Sequence, residues 1–317
     1  MNIMIIIALV LCGGTIIGNR IRRRQVLCRE KRRQRAVPCL LLAALMAVCW
    51  VPVQARAASD ESEMSLFSIN IRKADAHLLR CGSSVYLIDT GKKKDYETLY
   101  RALKENGADR LTGVILTHSH SDHTGGLKKL MQSDIVIENV YMSAFYALKK
   151  EDKDNPVVKA LKDTGIEPIS LKSGDTLPLD GGELIVLGPL EEMTDPEEEN
   201  SNSLVLLASG GGGTILLTGD MEFPEEASLL NAGLIPHADV IKIGNHGEGD
   251  ATSDQLIAAV SPSIAVISTN TEDEPDTPDP RVMRLLTRSG ITVLQTQQAE
   301  NGVLITIRNG EIVYEMR

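Results

Sequence analysis

Cysteine is scarce in the part of this chain that is expected to fold. The 317 residues include only five cysteines, and four of them lie in the first 58 residues, at Cys12, Cys28, Cys39 and Cys49. Only Cys81 remains in the rest of the chain. A single cysteine cannot form an internal disulfide, so this region depends on a hydrophobic core or on bound metal for its stability.

Positive charge is scarce in the same region. Residues 59–317 hold 23 of the 33 Lys and Arg but 42 of the 43 Asp and Glu, which gives a net charge near −19. Such a surface repels polyanions and argues against avid, nonspecific binding of nucleic acid. With 43% hydrophobic residues, the chain is able to bury the core of one large domain or two smaller ones.

The first 58 residues form a leader of different composition. Residues 1–18 are apolar, residues 19–35 are strongly basic, and residues 36–53 are apolar again, followed by Ala55-Arg56-Ala57. A basic stretch, an apolar run of roughly 17 residues and a small-x-small site are typical of an export signal, and the run is short for a stable membrane span.

We therefore predict a signal peptide from Arg29 to about Ala57. The alternative is an uncleaved hairpin of two membrane helices that anchors the protein. The segment before Arg29 is then either an extra membrane helix or the product of a start codon assigned too far upstream. Both interpretations place residues 59–317 outside the cytoplasm.

Residues 59–317 alternate between short β-branched runs and amphipathic segments. Strands are predicted near 65–72, 84–91 and 111–118, with a helix at 95–107 between the last two. The last third repeats a strand-then-helix rhythm, and the acidic, proline-rich stretch at 271–280 is predicted to be a surface loop. Many strands with intervening helices favour one α/β or α+β domain in which helices cover sheets.

Three of the six histidines occur within six positions, at His118, His120 and His123. They follow an apolar strand, whose extended end would aim His118 and His120 to the same side. Asp122 and His123 then fall where the chain turns into a helix, with Thr124 near its cap and two glycines allowing a tight approach. Imidazole and carboxylate together suit Zn²⁺ or Mn²⁺.

The pattern His-x-His-x-Asp-His at 118–123 resembles the signature of metallo-β-lactamase-fold hydrolases. Three further segments resemble that family's later motifs, in family order, and they end in or contain Asp89, Asp220 and His246. Taken alone, Asp89 is an ordinary turn residue, Asp220 a helix cap and His246 a structural histidine. Together they imply a four-layer αββα sandwich over residues 59–317 and a metal-dependent hydrolase.

The glycine-rich hairpin near residue 211 and the strand-helix tail resemble the competence branch of the family, similar to the soluble domain of ComEC DNA-uptake proteins. In that branch an asparagine takes the place of the third histidine, and Asn200 or Asn202 fits, although loop hydrogen bonding is an equal alternative. Two departures remove nitrogen donors. Asn245 stands where the branch has the first histidine of His-His-Gly, and Thr277 stands where it has a histidine before proline.

The resemblance implies a site with two Zn²⁺ ions, Mn²⁺ being the alternative. His118 and His120 would hold the first ion. Asp122, His123 and His246 would hold the second, and Asp220 would bridge them. Asp122 and Asp220 are the expected catalytic residues, and Asp89, with Asn200 or Asn202, would support the site. A bound Zn²⁺ lowers the pKa of water from about 15.7 to about 7 and so supplies hydroxide at neutral pH.

The expected substrate is a phosphodiester or a related ester. Nucleic acid is disfavoured by the acidic body unless metals and a local basic patch such as residues 92–94 compensate. Lys242 would contact an anionic substrate or, alternatively, be a solvated lysine. The alternative function is a metal-binding regulatory module with little or no turnover. The sequence does not indicate an oligomeric state.

The leader makes a first prediction. Export should remove residues up to about Ala57, because a basic stretch, an apolar run and a small-x-small site stand in the order that signal peptidase requires. Intact-mass measurement of protein recovered from outside the cytoplasm checks this. A product that retains residues 29–53 would favour the membrane hairpin instead.

Overall fold

The computed structural model describes residues 63–145, 155–162, 164–190 and 200–317. The predicted leader at 1–58 lies outside these residues, so its export and cleavage stay predictions. Within the described ranges, no helix combines the length and the apolar content that crossing a lipid bilayer requires.

The described residues form seventeen strands and seven α-helices. The strands are β1 (Met64–Ile69), β2 (His77–Cys81), β3 (Ser84–Ile88), β4 (Arg110–Leu111), β5 (Gly113–Leu116), β6 (Val136–Ile137), β7 (Val140–Ser143), β8 (Ile169–Leu171), β9 (Thr176–Leu179), β10 (Gly182–Gly188), β11 (Val205–Gly210), β12 (Gly213–Leu217), β13 (Val240–Lys242), β14 (Ile264–Ile267), β15 (Thr292–Gln295), β16 (Gly302–Arg308) and β17 (Glu311–Met316). The helices are α1 (Tyr96–Glu105), α2 (Ser121–Thr124), α3 (Leu127–Leu130), α4 (Pro156–Leu161), α5 (Phe223–Asn231), α6 (Asp254–Val260) and α7 (Pro280–Arg288).

Two large sheets are built to the same plan. The first has the order β17-β16-β1-β2-β3-β5-β7-β8, and the second has the order β15-β14-β13-β12-β11-β10-β9. In each sheet one half is antiparallel, and the other half is parallel from β3 or β12 onward. The short strands β4 and β6 form a separate parallel pair.

Successive side chains along a strand point to opposite faces of the sheet, and this alternation produces the layers. In β1, Leu66 packs into a core between the two sheets, whereas its neighbour Phe67 packs against the helices on the outer face. Helices α1, α3 and α4 cover the first sheet, and α5, α6 and α7 cover the second. The predicted four-layer αββα sandwich is confirmed. Cys81 is buried in the inter-sheet core as a free thiol.

Local chemistry explains where several elements begin and turn. Gly211 and Gly212 connect β11 to β12 with φ of 60° and 84°, as a two-residue hairpin with positive φ at both positions requires. Helix α7 begins after Asp279, whose carboxylate accepts a hydrogen bond from the Arg281 amide at 2.5 Å. Pro280 has no amide hydrogen to satisfy, which suits the first helical position.

The structure differs from the sequence prediction in some elements. Strands β2 and β9 had not been predicted, because both are short and carry polar or proline residues among the apolar ones. The helix after the histidine motif begins at Ser121 and ends at Thr124. Thr124 therefore does not cap its start, and His120 occupies the N-cap position instead.

Helix α5 yields a stability prediction. Glu225 is 5% exposed, and within the described ranges neither of its carboxylate oxygens has a hydrogen-bond partner. Burial and the carboxylates of Glu226 and Glu222 raise the pKa of Glu225 well above its usual value. The folded protein therefore holds a proton that the unfolded chain releases above about pH 4.5. The free energy of unfolding should fall as the pH rises from there towards the raised folded-state pKa.

We expect Glu225→Gln to raise the free energy of unfolding relative to the native protein, by more at pH 8 than at pH 5. Urea denaturation at the two pH values measures the difference. The control is Glu97→Gln on α1, whose side chain is 78% exposed and should show no such pH dependence. An equal effect of Glu225→Gln at both pH values would contradict the prediction.

Candidate metal centre

The histidines and carboxylates of the motifs gather at one end of the two sheets. Each follows a strand of a parallel half, so the carboxyl ends of these strands meet at the site. The residues are Asp89 after β3, His118, His120, Asp122 and His123 after β5, Asp220 after β12, and His246 after β13. Both sheets therefore contribute, and the site lies where the inter-sheet core reaches the surface.

Three imidazoles converge on a single oxygen. The Nε2 atoms of His123, His246 and His118 lie 3.0, 3.4 and 3.9 Å from Oδ2 of Asp220. All four side chains are at least 96% buried. The cluster thus presents three nitrogen donors and a carboxylate to one small volume.

Outer hydrogen bonds hold these rings in place. Nδ1 of His246 lies 2.9 Å from the carbonyl oxygen of Ser268, and Nδ1 of His123 lies 2.7 Å from Oδ2 of Asp89. An acceptor beside Nδ1 holds the ring proton on that nitrogen. Nε2 then faces the site with a lone pair that a metal ion could accept. The buried Nε2 of His246 has no hydrogen bond of normal geometry within the described part of the chain.

Asp89 connects two loops of the site. Its oxygens accept hydrogen bonds from the Thr117 amide at 2.8 Å and from the Thr117 hydroxyl at 2.7 Å. Its φ of 61° is unusual for a residue with a side chain. Asn245 and His246 share this left-handed conformation, with φ of 43° and 53°. Such conformations cost free energy, and they persist where the surrounding packing fixes them.

The ligand atoms fall into groups that only partly match the predicted division. The atoms of His118, His123 and Asp220 lie within 4.8 Å of one another, and so do those of Asp122, His123 and His246. His120 is exposed and belongs to no such group among the described residues, although its Nδ1 lies 3.1 Å from Nε2 of His118. The structure therefore brings His118 together with His123 and Asp220 rather than with His120 alone.

The asparagines lie around this centre. Asn200 donates from Nδ2 to Glu222 at 2.6 Å, and Asn202 is buried on the same turn before β11. Nδ2 of Asn245 lies 3.2 Å from carboxylate oxygens of both Glu222 and Asp250. The side-chain nitrogen that replaces the expected histidine nitrogen is therefore a hydrogen-bond donor to two carboxylates.

Two neighbours of the centre were missed or misjudged from the sequence. Lys242 is not solvated: it is 1% exposed, forms an ion pair with the buried Asp75, and donates to the Gly219 carbonyl at 2.7 Å. Its Nζ lies 3.4 Å from Oδ1 of Asp220. In the sequence, Asp75 stands out only as an acidic residue between two alanines just before an apolar run. Ser203, whose hydroxyl lies 3.3 Å from Nδ1 of His118, carried no signal at all.

The charges in this buried cluster set one another's protonation. Burial opposes ionisation, but His123, His246 and Lys242 hold the pKa of Asp220 well below its usual value. Against the same burial, Asp220 and Asp89 raise the pKa of His123 well above its usual range. Asp220 and Asp122 raise the pKa of His246 to about 9. Burial and the charge of His123 lower the pKa of His118, which stays neutral and able to donate a lone pair.

Ion pairs connect the segment before Asp75 to other loops. Arg72 binds Asp273 through Nε at 2.7 Å, and Lys73 binds Glu248 and Glu274. Asp273 and Glu274 belong to the acidic loop at 271–280, and Glu248 follows His246. On another side, the lysine segment at 92–94 runs close to the histidine turn, since a Cβ added to Gly125 would lie 2.6 Å from the Lys93 amide nitrogen.

Comparison with known proteins gives the family. The Metallo-beta-lactamase superfamily model matches residues 71–269. The chain belongs to this superfamily. Its members are generally metal-dependent hydrolases.

Two curated relatives are competence proteins, so the predicted resemblance to the competence branch is confirmed. "ComE operon protein 3" of Bacillus subtilis (strain 168) is 34% identical over 202 residues, which are 64% of this chain and 25% of that protein. "Competence protein ComA" of Neisseria gonorrhoeae is 26% identical over 230 residues, which are 72% of this chain and 29% of that protein. The chain thus spans little more than a quarter of these relatives.

A solved structure shares the fold. The metallo-beta-lactamase fold protein YhfI from Bacillus subtilis superposes with a TM-score of 0.52 at 15% identity, over 78% of this chain and all of that one. At this identity the likeness concerns the fold alone.

The donor set fits the metal ions that the superfamily binds. Imidazole and carboxylate suit Zn²⁺ or Mn²⁺, and each of the buried imidazoles of His123 and His246 has one nitrogen fixed by an outer acceptor. The buried Nε2 of His246, which makes no hydrogen bond of normal geometry within the described ranges, is the kind of atom that a metal ion would satisfy. His118 and Asp220, with His120 beside His118, would hold one ion, and Asp122, His123 and His246 would supply donors for another.

We expect the purified protein to hold about two transition-metal ions per chain after dialysis, because the described residues include several overlapping groups of potential donors. Elemental analysis counts the ions. His246→Ala should lower the count, since it removes an inward-facing nitrogen. The matched control is His237→Ala, a histidine whose side chain is 64% exposed and lies outside the donor groups.

A native protein without any metal would contradict this expectation. One ion per chain with normal folding would indicate that Asn245, in place of a histidine, leaves one site empty.

Proposed function

We propose that this protein is an exported metal-dependent hydrolase that uses a metal-activated water on a phosphodiester or a related ester. The observation that carries the proposal is the convergence of three imidazole Nε2 atoms on Oδ2 of Asp220. A structural histidine cluster would satisfy its nitrogens with hydrogen bonds of normal geometry, whereas the buried Nε2 of His246, 3.4 Å from Oδ2 of Asp220, has none among the described residues.

The chain's own residues suit such a reaction. Ions bound at these donors would supply hydroxide at neutral pH and neutralise charge that develops on the leaving oxygen. Asp220 lies between the two donor groups, where its two oxygens are able to serve both. Asp122 is 22% exposed, so its carboxylate reaches the open side of the centre, where substrate would enter. Burial opposes ionisation of Asp122, but His246 and His123 hold the pKa of its carboxyl well below the usual value.

The substrate class rests on two supports. The relatives are named as competence proteins, and the branch that the sequence resembles handles DNA. The lysine segment at 92–94 supplies positive charge beside the histidine turn. Arg72 and Lys73, which precede Asp75 in the chain, are already paired with carboxylates. This balance favours a small anionic ester over tight, extended contact with nucleic acid.

A second candidate is a metal-binding regulatory module with little turnover. Asn245 favours it, because its amide nitrogen faces Glu222 and Asp250 and donates to them, so it supplies no lone pair to a metal. The two candidates share the metal centre and differ only in whether a bound substrate is hydrolysed.

The distinguishing experiment assays the metallated protein on bis-p-nitrophenyl phosphate, a cephalosporin and a thioester, because this fold supports many hydrolyses. We expect hydrolysis of the phosphodiester. Asp122→Ala should abolish it, since losing a donor that holds an ion removes several kcal/mol of transition-state stabilisation. Folding should survive, because a partly exposed loop carboxylate contributes little to the core.

Asp134→Ala is the matched control, because that carboxylate is 62% exposed and only forms surface contacts. It should leave the rate unchanged. A fully metallated native protein that hydrolyses none of the three substrates would favour the regulatory module. Activity that persists in Asp122→Ala would remove Asp122 from the catalytic set.

A further inference from the structure

The first sheet ends in an edge strand, β17, that lacks several features by which proteins keep an exposed edge from pairing with other strands. β17 pairs with β16 in continuous register, without a bulge, and contains neither proline nor lysine. Of the seven large apolar side chains that are exposed in the described part of the chain, three lie on this strand: Val313, Tyr314 and Met316. Natural proteins usually blunt such an edge, because its free amides and carbonyls pair with other strands.

The hydrogen-bonding direction along β17 is fixed by Arg317, the residue that follows the strand. Arg317 donates its amide to the Gly302 carbonyl at 2.9 Å and accepts from the Gly302 amide at 3.2 Å. In an antiparallel ladder the direction alternates from one residue to the next. Odd-numbered residues of β17 therefore bond to β16, and Ile312, Tyr314 and Met316 direct their amides and carbonyls away from the sheet.

The same three residues extend an apolar row. They lie beside Ile307, Ile305 and Val303 of β16, which belong to the core between the sheets. Ile312 still packs against that core, whereas Tyr314 and Met316 are 48% and 40% exposed. The apolar layer thus continues to the edge of the sheet, where the described residues leave Tyr314 and Met316 partly uncovered.

The charges on the strand are complementary to a second copy of it. If two β17 strands paired antiparallel about a twofold axis at Tyr314, Ile312 would face the other copy's Met316, and all outward amides and carbonyls would find partners. The flanking position would set Glu311 opposite Arg317, twice by symmetry. Opposite charges in this arrangement stabilise a strand pair, and like charges oppose it.

We propose that two copies of this chain associate through β17, antiparallel about Tyr314, so that their eight-stranded sheets become continuous. The proposal is independent of the proposed hydrolase function. Because each copy contributes a single short strand, we expect a dissociation constant in the micromolar range, on the order of 1 μM.

Charge exchange tests the register. Sedimentation of the full-length protein should show a concentration-dependent dimer. Glu311→Arg or Arg317→Glu alone should weaken it about tenfold, since each change places like charges opposite each other twice. The double variant Glu311→Arg/Arg317→Glu should restore the native dissociation constant. Because these side chains are exposed, the circular dichroism spectrum should be unchanged.

A crosslink tests the geometry independently. In a chain whose four leader cysteines are replaced by serine, Tyr314→Cys should oxidise readily to a disulfide dimer, because a hydrogen-bonded antiparallel pair has Cα atoms about 5.5 Å apart. Val313→Cys should not, because its symmetry mate would be about 7–8 Å away on the diagonal. A protein that stays monomeric, a dimer that ignores both single charge changes, or equal crosslinking at both positions would overturn the proposal.

Discussion

The structure around the centre depends on how the Asp220 carboxylate is kept ionised inside the protein. An isolated carboxylate at this depth would take up a proton, because burial disfavours its charge. Here His123, His246 and Lys242 hold the pKa of Asp220 low, and Asp75 in turn balances Lys242. Removing one member leaves an unpaired buried charge, which is costlier than losing a surface ion pair. The loops at this end of the sandwich are therefore constrained electrostatically as well as by packing.

Two half-parallel sheets explain why one site draws on distant parts of the chain. Carboxyl ends of parallel strands share an edge, so the loops after β3 and β5 face those after β12 and β13 once the sheets pack together. Left-handed backbone at Asp89 and His246 then aims these side chains inward rather than along the loop. The inter-sheet core, with Leu66 and its neighbours, sets how closely the two groups of donors approach.

Much of this was predictable from the sequence. The histidine motif was found because it follows an apolar strand that its β-branched residues make recognisable, and Asp89, Asp220 and His246 were found because their segments resemble the family's later motifs. The four-layer sandwich followed from the resemblance that these motifs carry. Asp75, Ser203 and the burial of Lys242 were not predictable, because their roles arise from contacts between segments far apart in sequence. The approach of His118 to His123 and Asp220, as well as to His120, depends on side-chain directions after the strand, which spacing alone does not fix.

The spread of the centre along the chain has a consequence for metal acquisition. Donors and the groups that orient them run from Asp75 to Ser268 and follow strands of both sheets, so the donor groups that include Asp220 or His246 are complete only once both sheets have formed. Ion capture by these groups must follow docking of the two sheets, late in folding. A chain that crosses a membrane unfolded would therefore arrive without its ions. The compartment in which it folds, rather than the one in which it is made, would then determine which metal it carries.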